Sequence, residues 1–291
     1  MAITGEAFYK LTNVPLIATS FDDLIFVDSP AALGTLSSEL NSVNGDSGVD
    51  TLRIIATAAG SFVIHDGIMN VEIIEIAMSL GDTNTLETPV KRGYVAGITV
   101  DASAQSAPLT ILGNDAANII ISGAAADLIK GNGGDDLLVI TGTDDISLNS
   151  SNDTLDGGDG YDKLVVGMTS GKTFTIPVDA PLTNVEEIML GAVLSGKVIS
   201  DKTDVKLDAS AYAKAVILTG NSGANIIMGG TEADTITGGP GADTLIGGSG
   251  NDIFVYGLAT DLAKGENIDG GAGTDTLLLQ GAYSYKFDTV T

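Results

Sequence analysis

The sequence predicts an all-β fold, a parallel β-roll or β-solenoid built from two tandem copies of a module of about 110 residues and part of a third. Three observations carry this. Residues 220–255 cut into four nines, GNSGANIIM, GGTEADTIT, GGPGADTLI and GGSGNDIFV, on one template, G-G-x-G-x-D-x-U-x, where U is a large apolar residue. A related block with matching flanks occurs earlier, residues 113–148 lining up with 220–255. The stretches between blocks, 54–112 and 166–219, lack glycine turns but keep alternating β-branched runs, FVIH, VEIIEI, TFTI and KAVIL, as strands do.

The template follows from chemistry. Glycine at its first, second and fourth positions lets the backbone reach positive φ and turn carbonyl oxygens toward one point. The sixth residue adds a short oxygen-bearing side chain beside those carbonyls. Calcium, a hard cation, takes about six to eight oxygens at roughly 2.3–2.6 Å, so such a turn suits it. The last three residues form a short strand whose eighth position (Ile227, Ile236, Leu245, Phe254) points inward and its neighbours outward. One coil needs two nonapeptides, so loops on one side belong to alternate repeats. The expected ligand pairs are therefore Asn225 with Asp243 and Asp234 with Asp252, joined by carbonyls of Gly229, Gly238, Gly241, Gly247 and Gly250.

At these residues the sequence resembles the RTX (repeats-in-toxin) family of hemolysin-type calcium-binding repeat proteins. The resemblance implies a right-handed β-roll, calcium-triggered folding, and export from a Gram-negative bacterium by a type I system without an N-terminal signal peptide. A glycine-rich linker would not hold an apolar residue at a fixed nine-residue period. A phosphate-binding loop is not supported either, since GGPGAD is followed by no helix pattern and no Lys-Ser/Thr pair.

Composition bounds the partners. Thirty-eight acidic residues against thirteen basic ones leave a net charge of −25 over 291 residues. That balance opposes nucleic acid and anionic membrane and favours cations. A hydrophobic content of 44% opposes acidic disorder. With no cysteine, disulfides cannot staple the chain, and bound calcium is the remaining staple. No apolar run approaches the ~20 residues of a membrane span. The N-terminus lacks a basic start and long apolar block, so it is no Sec signal peptide. The tail GAYSYKFDTVT is compatible with the C-terminal signal that the resemblance implies.

Taken in order, residues 1–44 match no repeat and read as a cap or docking segment, with short strands at LIATS, DLIFVDS and around Phe8, and a helical turn or two in AALGTLSSELNSV. The first solenoid module spans 45–156, the second 157–269, and a partial third 270–291. Each opens on a nonapeptide, GDSGVDTLR, GGDGYDKLV or GGAGTDTLL, whose sixth residues are Asp50, Asp162 and Asp275. In the block 113–148 the sixth positions are Asn118, Asp127, Asp136 and Asp145, opposite Asn225, Asp234, Asp243 and Asp252. Ala116, Ala125, Ser122, Ile140 and Thr141 stand there where glycine is expected, so those loops should bind calcium less tightly or not at all. A degenerate repeat at 148–156 offers Asp153 as a further ligand. The stretches between blocks read as wider coils of the same sheet, with a separate β-sandwich as the alternative.

No catalytic constellation assembles. The single histidine, His65, has no counterpart in the second copy, and no nucleophile elbow accompanies it. One histidine and no cysteine do not support zinc. Glu72, Glu75, Glu186 and Glu187 alternate with apolar residues and read as the solvent face of a strand. Phe8, Tyr9, Tyr283, Tyr285 and Phe287 cluster near the chain ends and suggest either edge packing or a contact between subunits. The expected function is that of a secreted calcium-binding structural protein, not an enzyme. It would fold on calcium and assemble head to tail with copies of itself into a filament, S-layer or biofilm matrix. The expectation draws on the unfinished third copy, whose open edge the first 44 residues of the next molecule could cover. The alternative is a piece of an RTX adhesin that presents a surface- or glycan-binding face, with cell-surface polysaccharide as partner. A calcium-binding tail of a secreted enzyme is a third class, for which 44 unmatched residues leave too little room. Nucleic acid and membrane insertion are not expected.

Overall fold

In the computed structural model the chain is all-β. The structure describes residues 8–10, 16–17, 24–28, 43–44, 48–55, 60–64, 68–69, 71–77, 97–142, 146–148, 153–194, 197–199, 202–257, 261 and 265–280. The segment read as a helical turn, His65, Asp145 and the aromatic residues Tyr283, Tyr285 and Phe287 lie outside these. The chain divides into two compact units, one of 1–139, 151–163 and 182–185, the other of 140–150, 164–181 and 186–291.

In the first unit one parallel sheet runs in order through Phe8–Lys10, Leu24–Asp28, Thr51–Ile55, Ile73–Ala77, Thr110–Leu112, Leu128–Gly133, Thr154–Asp159 and Leu182–Thr183. Strands from the first 44 residues thus extend the sheet itself, Phe8 lying in register with Leu24 and Ile25 with Leu52. The other wall runs through Gly60–Val63, Ile98–Asp101, Ile119–Ile121 and Leu137–Gly142, again parallel. The second unit repeats the plan. Ile146–Ser147, Thr173–Thr175, Lys206–Asp208, Ile226–Met228, Thr244–Ser249 and Asn267–Ala272 form one sheet. Lys163–Met168, Glu187–Leu190, Ile217–Thr219, Thr235–Thr237, Ile253–Tyr256 and Thr276–Leu279 form the facing one. Within the repeat blocks consecutive strands alternate between two walls and pair parallel, which is the topology of a β-roll. From Ile146 to Leu190 successive strands take turns among three parallel sheets, and Leu16–Ile17, Val43–Asn44 and Ile68–Met69 form a further short parallel sheet. Among the described residues one antiparallel hairpin departs from it, Ala192–Leu194 against Lys197–Ile199.

The period of two decides which side chains are inside. In the three-residue strands the middle residue is buried and its neighbours are not: Ile111, Ile120, Leu207, Leu218, Ile227 and Ile236 show no exposed surface. The same holds for Leu245 and, at 2%, Phe254. These residues stack on their counterparts one coil later, Ile111 on Ile129, Ile227 on Leu245 and Ile236 on Phe254. β-branched side chains fit a narrow pleated wall of this kind, and each is worth about 1.5–3 kcal/mol when fully buried. The stretches between blocks continue the coil: Phe174 pairs with Leu207, and Ile188 with Leu218, both parallel. Those coils are wide solenoid turns, not separate sandwiches.

Coil length is not constant. Most coils in the blocks advance by 18 residues, but one advances by 26 and another by 23. At both long coils the pairing runs on past the strand into the loop, through Asn132 with Gly158 and through Gly248 with Gly271. Extra chain is therefore taken up on one side, while the loops on the other stay stacked.

Truncating Phe254 to alanine should cost ~3–5 kcal/mol in calcium-saturated urea denaturation. Ile226→Ala, on the outward face at 43% exposure, should change stability by no more than about 0.5 kcal/mol.

Candidate metal centre

At many of the strands the residue immediately before the strand is the organising position. There the backbone N–H donates to a side-chain oxygen of the equivalent residue one coil later. In the first unit Leu109 N–H donates to Asp127 Oδ1 at 2.8 Å, Asn118 to Asp136 Oδ1 at 2.7 Å, Asp127 to Asp153 Oδ1 at 2.9 Å and Asp136 to Asp162 Oδ1 at 2.7 Å. In the second, Val216 donates to Asp234 Oδ1 at 3.0 Å, Asn225 to Asp243 Oδ1 and Asp234 to Asp252 Oδ1 both at 2.8 Å, and Asp252 to Asp275 Oδ1 at 3.0 Å. The acids of alternate repeats are neighbours, and what links them is the peptide N–H of one to the carboxylate of the next. Asp50, Asp127, Asp136, Asp162, Asp234, Asp243 and Asp252 are all buried to 2% exposure or less. Asp153 is buried at 9%, and Asp275 is exposed.

Two glutamates hold the same position outside any nonapeptide. Glu72 Oε2 accepts the N–H of Asp50 at 2.9 Å, and Glu266 Oε1 that of Asp243 at 3.2 Å, its Oε2 accepting the buried Tyr256 hydroxyl at 3.0 Å. The reading of Glu72 as a solvent-face residue is corrected here: it precedes the strand Ile73–Ala77 rather than lying on its outer face. Glu187 is likewise buried, with Oε1 accepting from Thr219 Oγ1 at 2.9 Å. Glu75 does face outward, paired with Arg53 at 2.8 Å. The available signal for Glu72 and Glu266 was their place directly before a strand run, one coil after a motif aspartate.

The second carboxylate oxygen behaves in two ways. In some loops it accepts the N–H of the loop's own second residue: Gly123 donates to Asp127 Oδ2 at 2.8 Å, Gly230 to Asp234 Oδ2 at 2.6 Å. In others it does not. Oδ2 of Asp136, Asp243 and Asp252 is buried and accepts no hydrogen bond. Around it the glycines leave no room for a side chain. A Cβ on Gly131 would strike Asp136 Oδ2 and the carbonyl of Gly157, and one on Gly247 would strike Asp252 Oδ2 and the carbonyl of Gly270. A Cβ on Gly238 would strike Asp243 Oδ2, one on Gly229 the Gly247 carbonyl, one on Gly241 that of Gly223, and one on Gly250 that of Glu232. Around Asp136 and Asp252 a carboxylate oxygen and a carbonyl oxygen of the next coil thus border the same small buried space.

Oxygen facing oxygen needs a positive charge between. The family model for the RTX calcium-binding nonapeptide repeat, in four copies, matches residues 112–139, 141–167 and 219–254. The chain carries RTX repeats. RTX nonapeptide repeats bind calcium ions, and the unsatisfied oxygens fit that ion, which takes carboxylate and carbonyl donors alike. Comparison with curated proteins found no match. Among the described residues no three carboxylate or imidazole side chains converge on one point. A turn that gives one carboxylate and otherwise main-chain oxygens does not require it.

The electrostatics show the cost of burying these carboxyls. Burial, with the charges of Asp162 and Asp135 added, pushes the Asp136 carboxyl up to about 8 against the pull of the Asn118 N–H. Burial, aided by Asp261, raises Asp243 to about 6, and Asp252 moves the same way beside Asp275. The metal-free coil therefore binds protons more tightly than the unfolded chain, so this stabilisation is complete below the ordinary carboxylate range and is lost as pH rises through 6 to 8. In EGTA, far-UV circular dichroism should show β structure declining from about pH 5 to about pH 8.5, with the profile flattened in Asp136→Asn and in saturating calcium.

Proposed function

We propose that the chain is an exported structural protein that completes its coils on calcium outside the cell and then joins end to end into an extracellular array. The observation that carries the calcium step is the buried, unsatisfied Oδ2 of Asp136, Asp243 and Asp252. Asp136 with the Gly157 carbonyl, Asp252 with the Gly270 carbonyl, and Asp243 would hold the ion. When bound, calcium supplies the positive charge that these oxygens lack. The chain's own residues do the rest: Oδ1 of each acid keeps the coil in register, and the first-position glycines keep the space open.

The charge of −25 gives this a direction. Where free calcium is scarce, self-repulsion and buried carboxylates hold the coils apart and the chain stays threadable. Where calcium is abundant, each site adds about 2.7 kcal/mol once the ion stands a hundredfold above its dissociation constant. Several such sites rival the ~5–15 kcal/mol of an ordinary domain. Among the described residues no helix is long and apolar enough to cross a membrane, and type I export in the manner of RTX proteins agrees with these features.

Support for assembly comes from the outermost strands of the described residues. Asn267–Ala272 and Thr276–Leu279 each pair on one side only, and Leu277 and Leu278 are 40% exposed. An exposed parallel edge templates another strand, and a contact between unlike ends propagates instead of closing. Adding millimolar calcium to metal-free monomer should give compact protein by circular dichroism, then growing light scattering and extended particles in electron micrographs. A chain that compacts yet stays monomeric at high concentration removes the assembly half. One that ignores calcium removes both.

A further inference from the structure

The loops differ in how they are closed, and the difference does not follow the boundary between the two repeat blocks. It falls within each. In the first two loops of each block the sixth side chain accepts the N–H of the loop's second residue: Asn114 to Asn118 Oδ1 at 2.9 Å, Gly123 to Asp127 Oδ2, Asn221 to Asn225 Oδ1 at 2.9 Å and Gly230 to Asp234 Oδ2. Asp127 and Asp234 then have both oxygens occupied by backbone donors, since Oδ1 serves the coil before. In the later loops the second residue has turned to positive φ, 76° at Asn132, 88° at Gly239 and 103° at Gly248, and the acid keeps a buried oxygen without a donor. Two independent features, one of side-chain bonding and one of backbone angle, sort the loops identically.

Asparagine fits the first class. Asn118 and Asn225 carry no charge, and the Asn225 amide donates to the Thr203 carbonyl at 3.2 Å, giving a carbonyl the partner that a cation would otherwise provide. Asn132 is the exception in the other direction: a non-glycine residue at positive φ, tolerated because asparagine is among the few that visit this region.

We propose that, among the described loops of the blocks 113–148 and 220–255, calcium enters only the second class, through Asp136, Asp243 and Asp252, and that the loops of Asn118, Asp127, Asn225 and Asp234 are latched shut by their own N–H and hold no ion. This rests on the calcium reading above and narrows it to named loops. It also means that the block 220–255, whose motif is the better preserved, is half latched.

The test uses the full chain and calcium, with bound ion counted by equilibrium dialysis and affinity by calorimetry. Asp136→Asn, Asp243→Asn and Asp252→Asn should each remove one equivalent or weaken binding by about tenfold or more. Asp127→Asn and Asp234→Asn install the residue that the chain itself uses in the other latched loops, and should leave stoichiometry unchanged and affinity within about twofold. Exchanging calcium for strontium in the folded, unmodified chain gives a reading that no variant's folding can spoil: the carboxyl ¹³C resonances of Asp136, Asp243 and Asp252 should move, and those of Asp127 and Asp234 should not. Loss of an equivalent in Asp234→Asn, or a shift at its carboxyl carbon equal to that of Asp252, overturns the division while leaving the calcium reading in place. An unmodified chain that binds no calcium overturns the calcium reading itself.

Discussion

The bond from a peptide N–H to the carboxylate of the next coil is the constraint on which the structure depends. Where it occurs it sits just before a strand, so it sets where that strand begins and which residue stacks on which. It also explains why so much negative charge is buried. A solenoid coil that enters a strand from a turn exposes an N–H with no strand partner, and an unsatisfied buried donor is costly. A short acid from the coil above satisfies it, strongly because the acceptor is charged. The solution creates the next problem, since the same carboxylate brings a second oxygen into a dry space. A proton, an N–H of the loop or a calcium ion can answer that oxygen, and the chemistry of this protein is the choice among the three.

Much of the fold was legible in the residues. The nine-residue period fixed coil size, the alternation around Ile227, Ile236, Leu245 and Phe254 fixed the inner face, and the sixth-position acids are the residues found at the turns. The neighbour relations of Asn225 with Asp243 and Asp234 with Asp252 followed from counting two repeats per coil. Other features could not be read. Glu72 and Glu266 perform the aspartate's task outside the motif, because the task needs an acceptor one coil away and not a particular flanking sequence. A longer side chain reaches the same N–H from a differently shaped turn.

The difference between latched and open loops was also hidden. Gly230 and Gly239 are the same residue at the same motif position, yet only Gly239 adopts positive φ. What differs is the surrounding coil. Gly230 sits against the Tyr212 carbonyl, which lies outside any nonapeptide, and Gly239 against that of Asn221, inside the first one. Glycine permits either conformation, and tertiary contact selects one. The motif therefore marks where a loop can bind an ion, and its context decides how the loop is closed.

The polarity of the N–H to carboxylate bond has a further effect. In the bonds that sit just before a strand the donor belongs to the earlier coil and the acceptor to the later one, from Asp50 with Glu72 to Asp252 with Asp275. Shortening the molecule from its front removes donors and leaves behind acids that water can solvate at the new edge. Shortening it from its rear strips acceptors from coils that remain, leaving peptide groups stranded beneath them. The two directions of shortening are thus unequal at these positions, where each peptide group is held down by the layer that follows it.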